Sequence, residues 1–364
     1  MLESADSSIP AYRADPAGTP EPIMPRLTAL QNWLAHQLPG TDFALSPASA
    51  DASFRRYFRA TLADGSTRIV MDAPPEHEDC RPFVHVAGLL EGAGLHAPKI
   101  LAQDLAQGFL LLTDLGRETY LQRMTGTRTD DTLELDAAAI DRLMREAIAA
   151  LVKWQLASRE DELPPYDATL LRRELDLFPE WFVIRHRNVI LDDKQRLALE
   201  QVFALLTVSA LEQPKVFVHR DFMPRNLMVS DPNPGILDFQ DAVYGPISYD
   251  IASLMRDAFH TWPEEQVLDW TVRYWEAARK AGLPVPADFS EFYRQVEWMG
   301  LQRHLKVLGI FCRLKHRDGK PKYSEDLPRF FTYAHKVATR YNGLGPLARL
   351  LEPLMGTERV DAFY

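Results

Sequence analysis

The stretch Val216–Asp250, VFVHRDFMPRNLMVSDPNPGILDFQDAVYGPISYD, constrains the chain more than any other. Its apolar run Val216–Val218 suits a buried strand, because β-branched residues pack well on a pleated surface. A polar loop follows, placing His219, Asp221 and Asn226 in the spacing H-x-D-x-x-x-x-N. A second apolar run, Leu227–Val229, leads through the turn Asp231-Pro-Asn-Pro-Gly235 into a third run that ends at Asp238. The pattern predicts strand, loop, strand, turn, strand, with three polar side chains converging at the strand ends. Phosphoryl transfer from ATP needs such a set. Asp221 can orient an acceptor hydroxyl and take its proton, while Asn226 and Asp238 offer hard oxygens to Mg²⁺, a cation that draws few carboxylates from a protein.

On these residues the segment resembles the catalytic segment of the aminoglycoside phosphotransferase and choline kinase family, relatives of the protein kinases. The helix opening Tyr249-Asp-Ile-Ala252 fits the same pattern. Asp51-Ala-Ser-Phe-Arg-Arg-Tyr-Phe58 and Met71-Asp-Ala-Pro-Pro75 further resemble the anomeric sugar kinases of bacterial cell-wall recycling, which act on N-acetylmuramate and N-acetylglucosamine. The resemblance spans about residues 40 to 340. It implies an α+β, two-lobed protein-kinase-like fold, with a small antiparallel-sheet first lobe and a larger, mainly helical second lobe. ATP is then expected in the cleft, an amino sugar as acceptor, and transfer to the anomeric hydroxyl. An aminoglycoside, choline or homoserine kinase, or a nucleotide-binding pseudokinase scaffold, are the alternatives.

At 364 residues the chain is long enough for two lobes. Proline-rich residues 1–25 read as a disordered leader, 26–113 as the nucleotide-binding lobe, and 114–364 as the lobe carrying the catalytic loop and sugar-binding helices. Leu27, Leu30, Leu34 and Leu38 fall at helical spacing in Arg26–Leu38. Phe54–Leu62 and Thr67–Asp72 flank Asp64-Gly65, a hairpin signal. The loop Ser46–Ser53 ahead of them occupies the place of a phosphate-covering loop, with Ser53 a candidate hydroxyl donor. The third strand, Arg68-Ile-Val-Met-Asp72, lacks the lysine that such kinases use to hold phosphates. Arg55, Arg56 or Arg68 can carry that charge instead, and Glu76, Glu78 and Glu91 are candidates for its acidic partner.

Thr113-Asp114-Leu115-Gly116 resembles the hinge between lobes, so main chain near Leu112, Asp114 and Leu115 is expected to meet adenine. Helical periodicity marks Asp136–Ala157, Thr169–Arg187, Asp192–Val208, Ser248–Phe259, Pro263–Ala281, Asp288–Lys315 and Lys322–Tyr341. In the second of these Arg172, Glu174 and Trp181 are candidate sugar contacts, with Arg172 or Arg185 a partner for a muramic acid carboxylate. His219 reads as structural, Asp250 as a loop anchor, and Asp241 as a neighbour of the metal. The net charge of -10 disfavours nucleic-acid binding. No apolar run approaches a membrane span, and the acidic, polar first residues do not resemble a secretory signal, so a cytoplasmic location is expected. Two distant cysteines, Cys80 and Cys312, form neither a disulfide framework nor a zinc site.

Overall fold

The computed structural model describes residues 23–49, 54–126, 136–257 and 259–354. By contact density these fall into two units, one comprising residues up to Glu78 together with Ala102–Leu111, the other Asp79–Leu101 and everything from Leu112 onward.

In the first unit helix α1, Ile23–Gln37, begins earlier than the expected Arg26; residues 1–22 of the expected leader lie outside the described residues. Strands β1 (Phe43–Ser49), β2 (Arg56–Leu62) and β3 (Thr67–Asp72) form antiparallel pairs, β2 and β3 joined by the Asp64-Gly65 turn. Ser46–Ser49 therefore belong to a strand and not to a covering loop, while Ser53 lies outside the described residues. After helix α2 (Arg81–Gly92), strands β4 (Ile100–Asp104) and β5 (Phe109–Thr113) complete a five-stranded sheet in the order β1-β2-β3-β5-β4. Leu30, Trp33 and Leu34 of α1 pack on Ala60, Val70, Phe109 and Leu111, which joins helix and sheet in one apolar core. Only glycine fits position 108: its φ is +72° and an added Cβ would lie 1.8 Å from the Ala73 carbonyl oxygen.

The second unit is mainly helical. Helices α3 (Tyr120–Thr125), α4 (Ala137–Leu156) and α5 (Ala168–Leu177) lead into a π-helix, Phe178–His186. The expected single helix over Thr169–Arg187 thus changes type near Pro179, which has no N–H to continue an α-ladder. Helix α6 (Asp193–Leu211) is followed by strand β6 (Lys215–Val218), the two-residue strands β7 (Leu227–Met228) and β8 (Gly235–Ile236), and β9 (Val243–Pro246). β6 pairs with β9, and β7 with β8, both antiparallel. Helices α7 (Tyr249–Met255), α8 (Glu264–Ala281), α9 (Phe289–His316), α10 (Leu327–Arg340) and α11 (Gly345–Leu351) complete it. α9 runs 28 residues, and its Leu301, Leu305 and Leu308 are fully buried against α5, α6 and the π-helix. Trp154, Trp262 and Trp270 are core residues, and Trp181 is half-buried.

Two ion-paired carboxylates, Glu174 buried and Glu264 partly exposed, tie these helices together and predict acid sensitivity. Burial would raise the Glu174 carboxyl, but the charges of Lys306 and Arg220 with the Tyr166 hydroxyl outweigh it and hold the group at about 2, below its ordinary 4.5. Glu264 is likewise lowered to about 2, where Arg256 and Lys336 overcome its burial. A depressed folded-state value stabilises above the unfolded value and loses that contribution as pH falls toward the folded one. The urea midpoint is therefore expected to fall as pH drops from 4.5 toward 2. A flat midpoint across that window would contradict the ion-paired state of both groups.

Candidate active site

The candidate site in the second unit forms because backbone anchors at both ends of a loop leave one carboxylate free. Asp250, at the start of α7, is fully buried and accepts from the main-chain N–H groups of His219 at 2.7 Å and Arg220 at 3.0 Å. Burial lifts its carboxyl to about 7, against the pull of those N–H groups and of Arg303. His219 is buried, donates from Nε2 to the Leu237 carbonyl at 3.0 Å and accepts at Nδ1 from the Asp221 N–H at 3.3 Å. Burial pulls its ring down to about 4, so it stays neutral and serves to hold the loop against β8's exit. Arg220 takes a left-handed backbone, φ 76°, which turns Asp221 outward with 38% of its side chain exposed.

Asn226 links the three candidate residues. Its Nδ2 donates to the Asp221 main-chain oxygen at 2.9 Å and to Asp238 Oδ2 at 3.2 Å. With the amide nitrogen so engaged, the side-chain oxygen is turned toward the other side as an acceptor. Asp238, with φ 62°, also accepts from Gln240 Nε2 at 2.9 Å, and the following Phe239 is fully buried, its ring 4.7 Å from that of Phe83 on α2. The β7–β8 hairpin fixes the separation, with Leu227 opposite Ile236 and Met228 opposite Gly235. At Gly235 a Cβ would come within 2.9 Å of Leu115 Cδ1 and 3.0 Å of Ser230 Oγ, so a larger residue there would push both side chains aside. One amide oxygen and one carboxylate fit a cation that keeps water and phosphate oxygens as its remaining ligands. No group of three or more His, Cys, Asp or Glu side chains able to hold a metal occurs among the described residues.

The other sequence candidates are dispersed. In the first unit Arg55 pairs with Glu78 at 2.9 Å, and Arg56 donates from Nε, at 3.0 Å, and from Nη2 to Oδ2 of the buried Asp72, directly opposite it across β2 and β3. Arg26 joins the same carboxylate at 2.7 Å. The third strand thus ends in a buried carboxylate, Asp72, held by Arg26 and Arg56. Arg68 donates to the Thr67 carbonyl, and Glu91 pairs with Lys99. In the second unit Leu112 and Leu115 are buried, the Thr113 N–H bonds the Lys99 carbonyl, and the Asp114 carboxylate accepts from the Gly116 N–H at 3.0 Å. Arg172 lies at the surface, tied to Asp176 and Glu200 at 2.7 Å each. Arg185 stacks over Trp181, 4.6 Å from its centroid. Glu174, by contrast, is 4% exposed, with Oε1 against Arg220 at 2.7 Å and Lys306 at 2.9 Å, and Oε2 accepting from Tyr166 and Gln302. Arg220, Arg303 and Lys306 were not singled out from sequence. Arg220 lies in the loop after β6, while Arg303 and Lys306 belong to α9, where Gln302, Arg303 and His304 are polar residues enclosed between the buried Leu301 and Leu305.

A loop carboxylate beside a paired amide and carboxylate, on an α+β kinase-like scaffold, defines a phosphotransferase. The profile of the phosphotransferase enzyme family matches residues 44–289, and the chain belongs to that family. It is 52% identical over 331 residues to an N-acetylmuramate/N-acetylglucosamine kinase of Pseudomonas aeruginosa, covering 91% of this chain and 93% of that one. To the enzyme of the same description from Neisseria meningitidis it is 51% identical, over 93% of this chain and 98% of the relative. Among solved structures, an ADP-bound aminoglycoside phosphotransferase, APH(2'')-Ib, superposes with TM-score 0.53 at 14% identity, covering 85% of this chain and 98% of that one. Choline kinase from Cryptosporidium parvum superposes with TM-score 0.55 at 12% identity, over 89% and 99%. These likenesses show the fold.

Proposed function

We propose that the chain is an ATP-dependent kinase that phosphorylates the anomeric hydroxyl of N-acetylmuramate and N-acetylglucosamine, returning cell-wall sugars to use inside the cytoplasm. The observation that carries this reading is about half identity, end to end, with kinases of those two sugars. Asp221 orients the acceptor hydroxyl and takes its proton as the oxygen attacks the γ-phosphorus. The bond to the bridging oxygen breaks in the same step, and ADP leaves. Asn226 and Asp238 hold Mg²⁺, which when bound neutralises charge on the phosphates. Arg56, oriented by Asp72, is the first-unit candidate for a phosphate contact, with Arg55 and Ser53 beside it in sequence. Leu112, Asp114 and Leu115 are the candidates for adenine. The protein contributes alignment and electrostatics and forms no covalent intermediate.

The test is Mg²⁺-dependent ADP release across N-acetylmuramate, N-acetylglucosamine, kanamycin, choline and homoserine. Turnover on the two amino sugars, at a kcat/KM well above that on the other acceptors, is expected. Turnover confined to kanamycin, choline or homoserine would keep the phosphotransferase and remove the sugar.

A further inference from the structure

One buried cation next to Asp221 has no role in the chemistry above. Arg303 lies on the inner face of α9 with 7% of its side chain exposed. A guanidinium carries several N–H donors and is costly to bury without a matching carboxylate. Arg303 has few such contacts. Nη2 reaches the Arg220 carbonyl at 3.5 Å and Asp221 Oδ1 at 4.0 Å, the guanidinium lies 5.3 Å from the Tyr249 ring centroid, and Nε has no hydrogen-bond partner among the described residues.

The neighbouring cations are placed differently. Arg220 and Lys306 both sit on Glu174, so that carboxylate is already matched twice over. Arg303 instead lies 4.0 Å from the Asp221 carboxylate at the tip of the loop, and its charge also draws down the buried Asp250 carboxyl of α7. Its donor to the Arg220 carbonyl touches the left-handed residue whose backbone aims Asp221. Both contacts come from Nη2, which a planar guanidinium holds in a fixed direction and an ammonium on a flexible stem does not.

We infer that Arg303 is a positioning residue for Asp221. Anchored in α9, its guanidinium balances the charge of the Asp221 carboxylate and fixes its direction, so that the acceptor hydroxyl meets an aligned proton acceptor. This rests on the reading of Asp221 given above. Transfer to either sugar then depends equally on Arg303, because its action falls on the shared carboxylate and not on a substituent of one substrate.

The experiment compares Arg303→Met and Arg303→Lys with the wild-type chain on both sugars, with calorimetric nucleotide affinity alongside. In Arg303→Met, kcat is expected to fall about tenfold or more on both sugars, within the range a positioned base contributes. KM for ATP and for each sugar should stay within about threefold. Arg303→Lys should recover part of the rate, and added guanidinium ion should restore some activity to Arg303→Met. A loss confined to N-acetylmuramate and expressed in its KM would make Arg303 the anchor of the acidic sugar and overturn the proposal. An unchanged kcat, or a parallel loss of nucleotide affinity, would overturn it as well. Should Arg303→Met not fold, Arg303→Lys carries the test, with reduced kcat and unchanged KM required of a chain of wild-type melting temperature. A wild type silent on both sugars would strike the substrate reading instead. The same comparison of kcat and KM would then be made on the acceptor that it does use.

Discussion

Asp221→Ala is expected to lower turnover on either amino sugar by at least about 10²–10⁴-fold, the contribution of a positioned general base, with nucleotide affinity little changed. The substitution spares the hydrogen bonds that shape the loop, and its electrostatic consequence is that the buried Arg303 loses the carboxylate 4.0 Å away. The Asp221 side chain is 38% exposed, and the bonds that shape the loop use other atoms: the Asp221 main-chain oxygen to Asn226, its N–H to His219, and the His219 and Arg220 N–H groups to Asp250. Removing the carboxylate leaves all of these in place. Steady-state kinetics with calorimetry on ADP would check it, and a variant that kept wild-type turnover would remove Asp221 from the mechanism.

Glu174→Ala is expected to be the most destabilising of the substitutions considered, by about 3–5 kcal/mol, because breaking a buried ion pair leaves its partners charged and unpaired. Arg220 and Lys306 would both lose their carboxylate, and the buried Tyr166 hydroxyl and Gln302 amide their acceptor. Arg172→Ala, two residues away on the same helix, should cost under about 1 kcal/mol, because its pairs with Asp176 and Glu200 are half exposed to solvent. Urea denaturation of the two variants would separate them; equal midpoints would contradict the buried network. Glu174→Ala should also impair turnover, since the freed Arg220 side chain belongs to the residue that aims Asp221.

The contrast between those two residues shows what the sequence could and could not disclose. Arg172 and Glu174 stand together on one charged stretch of helix, and both read as candidate sugar contacts. The fold turns one to solvent and encloses the other. What decides is α9, more than a hundred residues further on, whose Gln302 and Lys306 meet Glu174. No local pattern links such distant positions. The strands and loop that bring Asp221, Asn226 and Asp238 together were legible for the opposite reason, since they form one strand–loop–hairpin unit whose spacing is set by neighbours in sequence. Strand β9, Val243–Pro246, holds a glycine and a proline that blur a strand pattern, yet it pairs along the whole of β6. The missing lysine of the third strand was plain in the sequence. The pairing of Arg56 with Asp72 required the strand register to be known. The helices were the most legible elements: the stretches expected over Pro263–Ala281 and Asp288–Lys315 fold as α8, Glu264–Ala281, and α9, Phe289–His316.

The most direct test of the central claim is phosphorus NMR on the product formed from N-acetylmuramate, ATP and Mg²⁺. A phosphorus resonance coupled to the anomeric proton, appearing with stoichiometric ADP and absent with Asp221→Ala, is the predicted result. Phosphate on any other hydroxyl, or ATP consumed without a sugar phosphate, would contradict it.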